Sequence, residues 1–345
     1  MSLYPLLRPL LFALDPERAH HLAIDMVGML PAARPSHDPR LAVELAGLTF
    51  PSPVGLAAGL DKDAHAPDAF LRLGFGFVEV GTITPLPQPG NPKPRLFRLV
   101  EDEAIINRMG FNSGGQAAAL ARLRARTGRP GIVGVNIGAN KDAVDRIADY
   151  AEGVRAMAPV ASYLTVNISS PNTPGLRALQ DAGALDALLE AVVAARPAGG
   201  PPLFLKVAPD LEPADVDDIA RIAIARGIDA LIVSNTTIAR PPLRSRHAGE
   251  AGGLSGAPLK DLALQRLRDF RAASGGRLPL IAAGGIASAA DAYARIKAGA
   301  SLVQIYSALI YKGPFLARRI ASELIALLEN DGHRSISSVI GSDRP

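Results

Sequence analysis

The sequence contains no cysteine and no tryptophan. Without cysteine there is no disulfide, no thiolate metal site, no iron–sulfur cluster, and no thiol nucleophile or acid–base catalyst. The six histidines show neither HxH nor HExxH spacing, so no protein-bound metal is expected. Charge of one sign is also scarce. Lys and Arg number 37 against 33 Asp and Glu, a net +4 without blocks of like charge, so nucleic acid is not an expected partner. No uninterrupted apolar run reaches the ~20 residues that a membrane-spanning helix needs. There is no signal-peptide cleavage pattern behind a clean apolar core.

What is present is a chain of 345 residues, 48% hydrophobic and 20% charged, as in a soluble globular protein. That length fits two average domains or one large α/β barrel. Residues 1–36 differ from the rest. Tyr4 to Leu14 is apolar, interrupted by Pro5, Arg8 and Pro9. Asp15-Pro16-Glu17 then has the form of an N-cap followed by proline at the first helical position. Ala19, Leu22, Ala23, Met26, Val27 and Leu30 follow at helical spacing. The pattern predicts two short helices with a broad apolar face. They either pack on the domain or lie as an amphipathic pair in a membrane surface.

From residue 54 onward, short β-branched runs alternate with helical stretches. The runs are Val54–Gly59, Phe77–Thr82, Gly131–Gly138, Tyr163–Ser169, Pro202–Val207, Ala230–Asn235, Leu280–Gly285 and Leu302–Ser307. Eight β/α units over residues 37–330 predict a closed (β/α)8 TIM barrel behind the helical pair. The alternative, a doubly wound sheet, lacks a GxGxxG after the first strand. Residues 83–115 and 236–257 form two long connections at C-terminal strand ends, where barrel enzymes place their chemistry. The stretch 331–345 is low in complexity and is expected to be a flexible tail.

The strand ends share a chemistry. They carry Ala58-Gly59-Leu60-Asp61-Lys62, Gly81-Thr82, Asn136-Ile137-Gly138, Val166-Asn167-Ile168-Ser169-Ser170-Pro171-Asn172-Thr173, Lys206, Ser234-Asn235-Thr236-Thr237, Gly284-Gly285 and Tyr306-Ser307. Taken singly, each fits an ordinary role in a turn, a cap or a solvated head. Together they offer amides, hydroxyls and two cations, with no carboxylate pair beyond Asp61 and Asp63, which argues against glycoside and metal-assisted hydrolysis. Amides and lysines suit a flat, polar, anionic heterocycle. Gly-rich turns, with Gly253 and Gly256, suit a phosphate. A phosphorylated flat ring system points to flavin mononucleotide, FMN.

Asp15-Pro16-Glu17-Arg18-Ala19-His20, Ala57-Ala58-Gly59-Leu60-Asp61-Lys62, Asn107-Arg108-Met109-Gly110-Phe111-Asn112, Asn136-Ile137-Gly138, Val166 to Thr173, Ser234-Asn235-Thr236-Thr237, Gly252-Gly253-Leu254-Ser255-Gly256 and Gln304-Ile305-Tyr306-Ser307 resemble the quinone-linked, membrane-associated class of dihydroorotate dehydrogenases. The resemblance covers nearly the whole chain, ending at Tyr311-Lys312-Gly313-Pro314. It implies oxidation of dihydroorotate to orotate with FMN, electron transfer to a membrane quinone, and a place in pyrimidine biosynthesis. It implies Ser170 as the base at C5 of dihydroorotate, with Thr173 and a water as the proton exit and Phe111 as a shield. Lys62, Asn107, Arg108, Met109, Gly110, Phe111, Asn167, Asn172, Asn235 and Thr236 would bind substrate. Ala57, Ala58, Gly59, Lys62, Thr82, Asn136, Asn167, Lys206, Ser234, Gly256, Gly285, Tyr306 and Ser307 would bind FMN, with Lys206 beside the pyrimidine edge of the ring.

Cytosolic classes mostly carry Cys at the Ser170 position, so the lack of cysteine speaks for the quinone-linked class. Relatives often have Thr at Ser234, a change that keeps the hydroxyl. The helical pair would form a quinone tunnel, with Leu6, Leu7, Leu10, Leu11, Leu22 and Met26 as candidate lining and His20, Arg98 and Tyr306 at its polar end. A monomer seated peripherally on the cytoplasmic face of the cell membrane is expected. Competing readings are another flavin barrel of ene-reductase or dihydropyrimidine type, a fumarate- or NAD-linked relative, and a barrel that binds FMN or a nucleotide without catalysis.

Overall fold

The computed structural model describes residues 4–29 and 36–343. Eight parallel strands, each hydrogen-bonded to the next in the chain and the last to the first, close into a barrel. They are Val54–Leu56, Phe77–Ile83, Ile132–Ile137, Leu164–Asn167, Leu203–Val207, Ala230–Val233, Leu280–Ala283 and Ala300–Ile305. All eight expected runs become barrel strands. Continuous apolar runs suit strands buried by the barrel interior on one face and by helices on the other.

Aromatic rings fill the floor of the barrel. A two-stranded hairpin, Val43–Leu45 with Leu48–Phe50, brings Phe50 edge-on to Phe77 at 5.1 Å. Tyr163 stacks on Phe204 at 4.5 Å. Gly55 and Gly134 leave room for this floor. A Cβ at either would lie 2.2 Å from the Phe77 ring or 2.1 Å from the Tyr163 ring.

The two long connections carry strands of their own. Leu96–Leu99, Ala104–Asn107 and Gly253–Gly256 form one antiparallel sheet, with Ala104–Asn107 in the middle. The second and sixth strand-to-helix connections are therefore joined into one cover over the C-terminal end of the barrel.

The N-terminal helices are Tyr4–Ala13, with Pro9 inside it, and Pro16–Gly28. Asp15 caps the second as its sequence predicts, accepting from the backbone N–H of Glu17 at 3.1 Å and Arg18 at 3.0 Å. The expected boundary after residue 36 adjoins residues 30–35, which lie outside the described residues. The C-terminal stretch differs from the flexible tail expected of residues 331–345. Through residue 343 it folds back on the barrel. Ile336 and Val339 are fully buried, and the Gly341 and Asp343 N–H groups donate to the carbonyls of Ile296 and Lys297, both at 3.0 Å. Two apolar anchors outweigh the polar composition around them.

Candidate active site

The strand ends open into a polar cavity. Its wall takes Ala57, Ala58, Gly59 and Lys62 from the first strand end, Thr82 from the second, Asn167, Ser170 and Asn172 from the fourth, and Lys206 from the fifth. Ser234, Asn235 and Thr236 come from the sixth, Gly285 from the seventh, and Tyr306 and Ser307 from the eighth. The cover adds Asn107, Met109, Gly110, Phe111 and Gly256.

Three expected residues stand elsewhere. Asn136 is fully buried behind the wall, where it meets Thr82, Asn167 and Glu79. Thr173 is buried behind the loop that carries Ser170. Arg108 turns away from the cavity altogether. Its guanidinium pairs with Glu250 at 2.7 Å and lies 4.6 Å above the Phe97 ring. It follows the strand residue Asn107, which faces the cavity, and neighbouring extended residues point to opposite sides.

One network holds the floor of the cavity. The Asn167 amide donates to Thr82 Oγ1 and to Asn136 Oδ1, both at 3.0 Å. Asn167 Oδ1 accepts from the Ser169 hydroxyl at 2.9 Å, and Ser169 Oγ accepts from the Asn235 amide at 2.9 Å. Beneath them lies Glu79, fully buried, whose carboxylate accepts from Asn136 at 2.8 Å, Gln304 at 2.8 Å, and Tyr163 and Thr165 at 3.1 Å each. Sequence reading missed Glu79. One charge inside an apolar strand was the available signal, since such a charge must find donors when buried. Gln304 and Ser255, quoted in motifs but given no role, also line the cavity, as does Glu103, which the sequence reading passed over.

The two lysines sit in different fields. Burial pushes Lys206 below the usual lysine range, while Glu79 opposes that shift. Lys62 is lowered to about 8, first by burial and then by the nearby Arg95 charge, and its Nζ donates to Asn112 Oδ1 at 2.7 Å. Ser170 is buried, and its Oγ accepts the Asn172 N–H at 3.2 Å. Thr173 Oγ1, three residues on, is buried without a protein partner. Phe111 holds a left-handed backbone, φ +53°, which a bulky residue adopts at a cost. That conformation, invisible in the sequence, places Phe111 on the cavity wall.

The residues fit a flavin. Gln304 Oε1 and Thr236 Oγ1 are buried without protein partners, leaving acceptors for N–H groups of a ring. At the far end, Gly284 and Gly285 turn with φ +106° and +69° beside Gly256, and Ser307 meets Ser255 at 2.8 Å. Exposed backbone N–H groups and hydroxyls of this kind suit a phosphate.

A second cavity of about 310 Å³, mostly apolar, lies between the helical pair and the barrel. Leu7, Leu11 and Met26 line it, as expected. Leu6, Leu10 and Leu22 instead point outward, Leu6 being 74% exposed. His20, Arg98 and Tyr306 bring polar groups to this cavity, as does Tyr4. His20 is lowered to about 4, by burial first and then by Lys62, so it is neutral near pH 7. Burial raises Tyr306 to about 12, which keeps its hydroxyl protonated. Arg98 donates to the carbonyls of Leu11, Phe12 and Leu14, closing the end of the first helix. Tyr306 belongs to both cavities.

Comparison with known proteins agrees with this geometry. The dihydroorotate dehydrogenase family model matches residues 40–328. A dihydroorotate dehydrogenase (quinone) of Sphingopyxis alaskensis is 66% identical over 98% of this chain and 96% of its own length. One from Erythrobacter litoralis is 64% identical over 99% and 100%. Among solved structures, DHODH from Eimeria tenella in complex with ferulenol superposes with a TM-score of 0.92 at 44% identity, covering 97% of this chain and 99% of that one. The chain belongs to the dihydroorotate dehydrogenase family, among its quinone-dependent members.

Proposed function

We infer that the chain is a dihydroorotate dehydrogenase (quinone), an oxidoreductase that converts dihydroorotate to orotate in pyrimidine biosynthesis and hands the electrons to a quinone. The observation that carries this reading is the pair of cavities, one polar and one apolar, that share Tyr306 as a wall. One suits a charged diamide ring and the other a lipid-soluble acceptor.

FMN is the flavin this site would hold. Gly256, Gly284, Gly285 and Ser307 would take its phosphate, Lys206 and Gln304 would face its ring, and Asn136 would act from behind the wall by holding Asn167 and Thr82. When bound, the flavin supplies a two-electron acceptor for substrate hydride and a donor to quinone. Lys62 would pair with the orotate carboxylate. Asn107, Asn167, Asn172, Asn235 and Thr236 would match the N–H and C=O groups of the ring. Ser170 takes the proton from C5. A serine hydroxyl is a poor base, so it needs an acceptor of its own. The unpartnered Thr173 Oγ1 supports a water there as the exit. Phe111 shields the loop from solvent.

His20 and Arg98 would face the quinone head as polar groups, with His20 neutral. The exposed apolar side chains of Leu6, Leu10 and Met29 support peripheral seating on a membrane surface, which would be the cytoplasmic face of the cell membrane. No helix among the described residues is long and apolar enough to cross a membrane. The chain would act as a monomer. Turnover of dihydroorotate with ubiquinone, fumarate and NAD as rival acceptors tests the assignment. Quinone alone should sustain it, and equal rates with fumarate or NAD would overturn the quinone reading.

A further inference from the structure

A buried ion pair joins the second helix to the cover of the polar cavity. Glu17 and Arg95 are 5% and 6% exposed. Arg95 Nη2 donates to Glu17 Oε1 at 2.6 Å and Nε to Oε2 at 3.2 Å. The same guanidinium donates through Nη1 to the carbonyls of Pro89 at 2.5 Å and Asn91 at 2.8 Å. The Asn91 amide then donates to the carbonyls of Arg108 at 3.0 Å and Asn172 at 3.1 Å. Asn172 in turn donates to Asn107 Oδ1 at 3.1 Å. Charge-assisted and amide hydrogen bonds therefore run unbroken from a helix lining the apolar cavity to the loop that carries Ser170.

Anchoring alone does not require this arrangement. An apolar pair of equal volume would hold the helix as well as a buried ion pair, or better. The planar arginine fork provides something else, a fixed geometry among one carboxylate and two carbonyls. The strap that carries Asn91 is also pressed against the cover. A Cβ at Gly90 would lie 2.3 Å from the Met109 carbonyl, and one at Gly110 would lie 2.7 Å from the Asn91 side chain. The strap thus bears directly on the backbone of residues 108–110, which follow Asn107, and on the Asn172 carbonyl, and both Asn107 and Asn172 face the cavity.

We propose that Glu17, Arg95 and Asn91 are positioning residues for the dihydroorotate half-reaction, a relay through which the seating of the helical pair sets the Ser170–Asn172 loop. The proposal rests on the functional reading above. It assigns part of the helical segment to substrate affinity and not to quinone access alone.

The test uses flavin-loaded full-length protein and three readouts: orotate affinity from the flavin spectrum, flavin reduction by dihydroorotate without air, and reoxidation by a short-chain ubiquinone. Asn91→Ala should weaken orotate about fivefold, the scale of one net hydrogen bond. It should slow flavin reduction and leave reoxidation unchanged. Glu17→Gln should weaken orotate in the same direction but add little in the Asn91→Ala background, since residues on one relay do not add. Unchanged orotate affinity in Asn91→Ala overturns the proposal, as do fully additive effects. If Glu17→Gln fails to fold, Arg95→Lys replaces it in the cycle. It keeps the charge but loses the fork, and should likewise be non-additive with Asn91→Ala. Wild-type flavin that dihydroorotate does not reduce would defeat the functional reading itself, a result separable from any variant effect.

Discussion

Lys62 Nζ and Asn112 Oδ1 meet at 2.7 Å, tying the end of the first barrel strand to the proline-rich connection over the cavity. The bond holds a partly desolvated ammonium in place, and its pKa of about 8 has a consequence for ligand binding. Below that value the side chain is charged and can pair with a carboxylate. Above it the charge is lost. Orotate affinity should be flat below about pH 7 and weaken above pH 8, approaching roughly tenfold per pH unit. Titration of the flavin spectrum with orotate across this range measures it. Lys62→Met should weaken orotate throughout and remove the bend, and a bend that survives would assign the titration to another group.

Ser170→Ala should keep flavin and orotate but slow flavin reduction near neutral pH by roughly 10²–10⁴-fold, the usual loss for a positioned base. Ser170→Cys should retain part of the rate and reach its plateau at lower pH than wild type, since an ordinary thiol ionises near 8.5. Stopped-flow reduction over a pH series separates the two. An unchanged rate in Ser170→Ala would remove the serine from the base role.

Glu79→Leu replaces four accepted hydrogen bonds with none. Buried donors on Asn136, Gln304, Tyr163 and Thr165 lose their acceptor. Each such loss costs about 1–3 kcal/mol. The variant should melt lower and shed flavin on gel filtration, whereas Glu79→Gln should retain more of both properties. Full flavin retention in Glu79→Leu would show that the network is not needed to hold the cavity floor.

Leu6 and Leu10 on the first N-terminal helix and Met29 at the end of the second are 74%, 69% and 76% exposed. Changing all three to Ser should reduce co-sedimentation with phospholipid vesicles while leaving anaerobic flavin reduction intact. Unaltered vesicle binding would place the membrane contact elsewhere.

The barrel was legible because every strand overlaps a short apolar run followed by a helical stretch. The site was legible because polar residues cluster where those runs stop. The cover sheet was not. Gly253-Leu254-Ser255-Gly256 carries no strand signal, and its partner Ala104–Asn107 lies about 150 residues away, so only tertiary pairing makes it a strand. The tail was hidden by composition, because Ile336 and the pair Val339-Ile340 are the few apolar residues in a polar stretch. Arg108 was drawn into the site by its neighbours in the motif, and local strand alternation turns it out. Thr173 was read as part of the site from its place in the motif, and its hydroxyl is buried and unpartnered but does not line the cavity.

The most direct measurement is anaerobic mixing of the flavin-loaded protein with dihydroorotate, followed at the flavin absorption band. The account predicts a yellow protein that bleaches completely, forms orotate in equal amount, and recovers its colour when ubiquinone is added. A protein that stays colourless after incubation with FMN, or a bound flavin that dihydroorotate leaves oxidised, would contradict it.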